Sequence, residues 1–148
     1  MTVLVQEEPF EIGVVVENFT NAQAGMGAVV TFTGIVRDLA GGLQHMLIEH
    51  YPAMTQPALE AIEAKAVERW NLGGSLVIHR FGKLAPGEQI MMVATAAPHR
   101  NDAFAAAEYL MDYLKSRAPF WKKEITADGA DWVATKDEDE KALGRWAD

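Results

Sequence analysis

The hydrophobic and polar positions of this chain follow two different periods, one typical of strands and one typical of helices. The β-branched stretch Ala28–Arg37 predicts a long strand, in which Gly34 predicts a bulge or a close backbone approach. Residues 45–51 predict a second strand, whose alternation favours pairing with the first. Residues 3–16 are expected to form an edge strand that leads into a polar segment over residues 17–24.

Two helices are predicted where apolar residues recur at steps of three and four. Thr55 is the expected N-cap of the first helix, and glycines within residues 71–74 close it. Asn101 is the expected N-cap of the second helix, which must stop before Pro119 because proline has no N–H to donate. The predicted buried faces are Leu59, Ile62, Ala66 and Trp70 on the first helix, and Phe104, Ala107, Leu110, Met111 and Leu114 on the second.

The remaining apolar segments predict four more strands, at residues 75–81, 89–97, 120–126 and 131–135. The resulting order, β–β–α–β–β–α–β–β, predicts an α+β fold with mainly antiparallel strands. We expect a single α+β domain over residues 1–135 and a charged C-terminal tail over residues 136–148. Trp146 is the residue expected to dock this tail.

The composition narrows the classes of function. The net charge of -8 disfavours nucleic-acid binding, because affinity for a phosphate backbone needs a broad positive surface. The chain has no cysteine, so it offers no disulfide, no thiolate metal ligand and no cysteine nucleophile. No apolar run approaches the ~20 residues of a membrane span, and the N-terminal sequence is unlike a secretory signal. We therefore expect a cytoplasmic location and no membrane partner.

One stretch differs from this acidic background, because residues 98–124 hold five of the chain's 13 lysine and arginine residues. Lys115 falls in the last turn of the second predicted helix, and Lys122 falls on the strand that follows it. Strand alternation places Lys122 on the same face as Phe120 and Glu124. The two lysines are therefore predicted to point into a shared cleft that binds an anion.

The neighbouring basic residues have simpler alternatives. Arg117 and Lys123 are equally consistent with cations that complement the C-terminal end of a helix. His99 and Arg100 precede a helix N-terminus, where they can hold a phosphate or a carboxylate, although a structural histidine is the commoner case. The other histidines lie on predicted strands without ligand spacing, so no metal site is expected.

A lysine is an effective acid–base catalyst when burial or nearby cations lower its pKa toward neutrality. Arg37 and Arg100, if they converge with Lys115 and Lys122, would create such surroundings. The site would then hold a polyanion, stabilise an oxyanion and move protons. Sulfur or acyl chemistry would still need a reactive group brought by another molecule.

Five stretches resemble, in the right order, the large catalytic subunit of molybdopterin synthase. They are VVTFTGIVRD (29–38), LIEHYPAMT (47–55), VIHRFGKLAPGE (77–88), APHRNDAFAA (97–106) and MDYLKSRAPFWKKE (111–124). The resemblance extends from about Pro9 to Trp146. It implies an α+β fold of the α/β hammerhead type with an additional antiparallel β portion, in which residues 1–135 form the catalytic domain.

The resemblance also implies an activity. The family converts cyclic pyranopterin monophosphate to molybdopterin by installing two dithiolene sulfurs, a step of molybdenum cofactor biosynthesis. The sulfur comes from the C-terminal Gly-Gly thiocarboxylate of a small ubiquitin-like subunit, whose tail enters the active site. Large subunits form a homodimer that binds two small subunits, which gives a heterotetramer. Neither a cofactor nor a metal is implied.

Position by position, the resemblance implies catalytic roles for two lysines. Lys122 would act as the general acid and base, and Lys115 would stabilise the tetrahedral intermediate. In the dimer, one of these basic groups could serve the neighbouring subunit's pocket. Ile35 stands where many relatives carry a lysine, which leaves its role open. The substrate-binding positions implied are Arg37, His99, Arg100, Lys115, Lys122, Lys123 and Glu124.

The competing hypothesis is a non-catalytic scaffold of the same fold that binds an anion or a ubiquitin-like protein. The intact basic motifs argue against it. The two hypotheses differ in whether Lys115 and Lys122 are needed for turnover or only for binding.

Overall fold

The computed structural model describes residues 1–134 and 136–147. Thr135, the expected end of both the last strand and the domain, and Asp148, the end of the tail, lie outside the described residues. The elements in chain order are β1 (Thr2–Gln6), α1 (Ile12–Asn21), β2 (Ala28–Ile35), β3 (His45–His50), α2 (Pro52–Trp70), β4 (Gly74–Arg80), β5 (Gly82–Leu84), β6 (Gln89–Ala97), α3 (Arg100–Arg117), β7 (Phe120–Thr126), β8 (Gly129–Trp132), α4 (Asp137–Ala142) and a 3-10 turn (Leu143–Trp146).

The described strands form two four-stranded sheets. The first has the order β1-β4-β6-β2, and the second has the order β5-β3-β7-β8. Within the described residues only the β1–β4 pair is parallel, and all other pairs are antiparallel. This confirms the predicted α+β class with an additional antiparallel β portion.

Several predicted elements are confirmed. Strand β6 has the expected bounds, and so does β7. A register shift between Gly34 and Ile35 confirms the bulge expected at Gly34. Helix α3 ends at Arg117, directly before the Ala118–Pro119 break.

The predicted pairing of the second strand with the first was wrong. Strand β2 pairs with β6, in a register that sets Phe32 opposite Val93. Strand β3 lies in the other sheet, between β5 and β7. Alternation shows that a strand has one buried face, but it carries no information about which neighbour completes the backbone hydrogen bonds.

Helix α1 replaces the second half of the predicted edge strand and part of the polar segment. The run of β-branched residues Val14–Val16 favours a strand by intrinsic propensity. Tertiary packing overrides that propensity, because a helix can cover the outer face of β4 at Leu76 and Ile78. The helix residues packed there lie at helical spacing: Ile12, Val15, Val16 and Phe19.

The starts of the two long helices also differ from the expectation. Helix α2 begins at Pro52, and Thr55 is a buried residue of its first turn whose hydroxyl donates to the Tyr51 carbonyl at 2.8 Å. Helix α3 begins at Arg100, with His99 rather than Asn101 in the N-cap position. The start of α3 differs from the expectation by two residues, whereas the N-cap of α2, Tyr51, lies four residues before the expected one. Neither Tyr51 nor His99 makes a side-chain cap hydrogen bond, so a search for capping side chains could not locate these starts.

The main core lies where α2 and α3 pack on the first sheet. Leu59, Val77 and Leu110 are fully buried there. Phe104, predicted to be buried, is 61% exposed, because Ala103, Ala106 and Ala107 form the face of α3 that meets the sheet. The small alanine side chains let the helix approach closely.

The C-terminal tail is held against the helices by Trp146, as predicted. Its ring lies 5.4 Å from that of Trp70 and 5.5 Å from that of Tyr109, measured between centroids. Its indole N–H donates to the Asp112 carboxylate at 2.6 Å. Arg145 forms ion pairs with Asp112 and with Glu108 on the same helix.

Replacing Leu59 by alanine is expected to lower the free energy of unfolding by about 2–5 kcal/mol, because the side chain is fully buried and its removal leaves a cavity. The exposed residue Lys65 on the same helix provides the control, and Lys65→Ala is expected to change stability by less than about 0.5 kcal/mol. Urea denaturation followed by circular dichroism measures both values. Equal effects of the two substitutions would contradict the described packing of α2.

Candidate active site

A cavity of about 610 Å³ lies beside the contact of the two sheets. Strand β2, the loop after it, β3, β4, β6, α3 and β7 each contribute side chains to its wall. Its apolar lining includes Phe32, Met46, Ile90, Met91, Met111 and Leu114. The charged side chains that line it are Arg37, Lys115, Lys122, Glu124 and Lys136. The cavity is therefore an apolar pocket with a predominantly cationic set of polar groups.

The two lysines converge in this cavity, as predicted. Lys115 lies in the last turn of α3, and the break at Pro119 turns the chain back into β7. Strand alternation then places Lys122 on the same face as Phe120 and Glu124. Lys115 is exposed and Lys122 is half-buried, so their surroundings differ.

The environment of Lys122 lowers the pKa of its side chain, so the ammonium group loses its proton more readily. Burial and, to a smaller extent, the positive charge of Lys115 lower the pKa of its ammonium group to about 8. The Asp139 carboxylate acts in the opposite sense. At neutral pH about a tenth of such a lysine is unprotonated, so it can both accept and return a proton.

Arg37 reaches the cavity through the end of β2. The bulge at Gly34 precedes it, and buried Val36 donates its N–H to the Glu88 carbonyl at 2.9 Å. The loop that follows is organised by Asp38, whose carboxylate accepts the N–H groups of Leu39 at 2.8 Å and Leu43 at 2.7 Å. These hydrogen bonds hold the backbone on both sides of Arg37, which lines the cavity.

The structure does not bring His99 and Arg100 to this cavity. They lie at the start of α3, and Lys115 lies near its end, so a rise of 1.5 Å per residue separates Arg100 from Lys115 by roughly 22 Å. His99 and Arg100 are close to Lys115 in the sequence, but the helix between them places them far from it in space.

Lys123 also lies outside the cavity lining. Its ammonium group lies 4.6 Å from the centroid of the Trp132 ring, on the strand paired with β7. The cause is strand alternation, since Lys122 and its neighbour must point to opposite faces. Glu124 returns to the cavity face.

Two titratable residues line the cavity without having been predicted as site residues. His79 was seen only as a strand histidine, yet it is 4% exposed and lines the cavity. Lys136 lies just before α4, and its place in the cavity depends on the docking of the tail. His79 lies within the stretch 77–88 that carries the family resemblance, but its position on a strand does not show that it lines a cavity. Lys136 has no sequence signal, because it reaches the cavity through a long-range contact.

The described residues contain no group of three or more His, Cys, Asp or Glu side chains that could hold a metal ion. Within the same ranges, no helix is both long and apolar enough to cross a membrane.

Comparison with known proteins identifies the class to which this fold and cavity belong. The family model described as "MoaE protein" matches residues 5–117, and the chain belongs to this family. A relative from Cereibacter sphaeroides, named molybdopterin synthase catalytic subunit, is 66% identical over 146 residues, which are 99% of this chain and 100% of that protein. The similarity to this relative therefore includes the segment that carries Lys122.

Solved structures agree with this assignment. The molybdopterin biosynthesis MoaE protein from Burkholderia ambifaria has a TM-score of 0.84 and 46% identity, and the match covers 99% of both chains. The structure of molybdopterin synthase from Staphylococcus aureus has a TM-score of 0.79 and 32% identity, and the match covers 88% of this chain and 96% of that chain. Family membership makes this chain an enzyme subunit of molybdopterin biosynthesis.

The pKa of Lys122 is expected to respond in opposite directions to two neighbours. Lys115→Met removes a positive charge and should raise that pKa from about 8 toward the ordinary value, whereas Asp139→Asn removes a negative charge and should lower it. The measurement is the pH dependence of trace acetylation of Lys122, read by mass spectrometry. An unchanged Lys122 titration in both variants would contradict the electrostatic coupling.

Proposed function

We propose that this chain transfers sulfur from the C-terminal thiocarboxylate of a small ubiquitin-like carrier subunit to cyclic pyranopterin monophosphate, which forms the dithiolene of molybdopterin. The observation that carries the proposal is the pairing of Lys122, whose pKa is lowered to about 8, with Lys115 in one cavity. The family assignment supports the same reading.

The chemistry of the cavity fits sulfur that arrives on another molecule. The chain has no cysteine, so it has no thiolate with which to carry sulfur itself. The cavity volume of about 610 Å³ is in the range of sites that hold small ligands, and a tail that ends in two glycines is narrow enough to share it. The cationic lining complements both a thiocarboxylate and a phosphate.

Each lysine has a separate role in this proposal. Lys115, exposed at the end of α3, lies beside the incoming carbonyl and stabilises the oxyanion that develops on its oxygen. Lys122 transfers protons to and from the reacting groups, because its pKa lies near the operating pH. Arg37 and Glu124 bind the substrate from the cavity wall.

His99 and Arg100 act in the proposed assembly through a second copy of the chain. The N-terminus of α3 offers free N–H groups and a favourable dipole for the substrate phosphate. Because these residues lie roughly 22 Å along α3 from Lys115, they reach a complete site only across a homodimer. Two carrier subunits on this dimer give the proposed heterotetramer. We propose that Lys123 has a supporting role on the opposite face of β7.

Lys122→Ala is expected to lower the turnover of cyclic pyranopterin monophosphate by about 10²- to 10⁴-fold, because the acid–base group is lost. Lys65→Ala is the control, since this lysine is exposed on α2 and does not line the cavity. Turnover is measured with thiocarboxylated carrier, and carrier affinity is measured separately. Tight carrier binding by a wild-type protein that shows no turnover would favour the non-catalytic scaffold instead.

Mixing two inactive variants tests the shared site. If Arg100 acts across the dimer, Arg100→Ala and Lys122→Ala subunits together should regain about a quarter of wild-type activity, because half of the dimers are mixed and each mixed dimer has one intact site. The variants are refolded together and assayed against each variant alone. Activity that stays at the level of the separate variants would mean that both residues serve the same subunit's site.

A further inference from the structure

His79 lies on the wall of the candidate active site without a part in the proposed chemistry. It is the sixth residue of β4, and its ring is stacked on that of Phe120 with centroids 3.7 Å apart and planes inclined by 12°. Phe120 precedes Lys122 on the same face of β7. The imidazole therefore connects the first sheet to the strand that carries the acid–base lysine.

A single hydrogen bond fixes the tautomer of this ring. Nδ1 of His79 lies 2.8 Å from the carbonyl oxygen of Arg80, and a carbonyl oxygen can only accept. Nδ1 must therefore carry the proton. In the neutral ring Nε2 is then an unprotonated nitrogen that can only accept a hydrogen bond.

The surroundings keep the ring neutral. Burial, together with the charges of Lys122, Lys115 and His50, lowers the pKa of His79 to about 3. Only the Arg80 carbonyl opposes them. Nε2 thus remains an acceptor throughout the range in which an enzyme works.

Nε2 is also available to a ligand. It has no hydrogen-bond partner among the described residues, and in those residues the only buried side-chain nitrogen or oxygen that lacks a partner is Oγ of Ser116. Because Nε2 of His79 lacks a partner within the described residues and is not one of these buried atoms, it is accessible from outside the core. The residue lines the cavity, so the cavity is where a ligand can reach it.

The other polar groups of the cavity make such an acceptor necessary. Arg37, Lys115, Lys122 and Lys136 offer only donors, which suit a phosphate or a thiocarboxylate. A pterin ring carries amide and amine N–H groups, and these need acceptors once they leave water. The side-chain oxygen and nitrogen acceptors of the lining are Thr33, Glu124 and His79.

We propose that His79 is a specificity-determining residue whose Nε2 accepts a hydrogen bond from an N–H group of the pterin ring. The inference rests on the proposed function, because it assigns this residue to the substrate of the same cavity. Backbone N–H groups of the carrier tail could donate to the same nitrogen. The test must therefore distinguish a hydrogen bond from the pterin ring from one that the carrier tail donates.

The test measures substrate binding without turnover. Calorimetry gives the Kd of cyclic pyranopterin monophosphate for the protein in complex with a carrier that ends in an ordinary carboxylate. His79→Phe keeps a ring to stack on Phe120 and removes the acceptor, so the Kd should rise about five- to tenfold, as expected for one lost hydrogen bond. His79→Gln retains an acceptor and should recover part of the loss.

His50→Phe is the matched control. His50 also lies against Phe120, with centroids 5.9 Å apart, but it lines a different, smaller pocket. The Kd of the His50→Phe variant for the substrate should stay within about twofold of the wild-type value. Thermal denaturation of all variants shows whether each one is folded.

The possible outcomes distinguish a failure of the proposed function from a failure of the proposed role of His79. Absence of substrate binding by the wild-type protein would contradict the proposed function and this inference together. Equal binding by wild type and His79→Phe, or a loss confined to carrier affinity, would overturn this inference alone. Nitrogen-15 NMR of the four histidines needs no substitution: a proton on Nε2 of His79 between pH 5 and 8 would also overturn it.

Discussion

The pairing of β7 with β3 places Lys122 in surroundings that lower the pKa of its ammonium group. Six consecutive pairs, from His45 opposite Ile125 to His50 opposite Phe120, fix the register. Lys122 lies opposite Ile48, which is 1% exposed, so the lysine enters a partly dehydrated site. A shift of one residue would turn it to the other face and leave its ammonium group in water.

The charge balance of the site is opposite to that of the chain. The protein carries a net charge of -8, but four of the five charged residues that line the cavity are cations. A local positive potential in an acidic protein attracts small anions without general affinity for nucleic acid. His79 is neutral and therefore does not add to this positive potential. A protonated His79 would repel Lys115 and Lys122, and its ring could no longer accept a hydrogen bond.

The C-terminal segment is part of this electrostatic arrangement. Trp146 and Arg145 hold it against α3 through Asp112 and Glu108. The same segment supplies Lys136 to the cavity lining, and its Asp139 raises the pKa of Lys122. The properties of the site therefore depend on a contact between segments far apart in the sequence.

The sequence by itself determined the local structure of the key region and the convergence of Lys115 with Lys122. A helix that must end before Pro119 and a strand with period two suffice for both. Only the tertiary structure decided the partner of β3, the helical state of residues 12–21 and the burial of His79. These features depend on long-range packing, which local periodicity and propensity do not encode. The roughly 22 Å between Arg100 and Lys115 likewise follows from the unbroken helix that joins them.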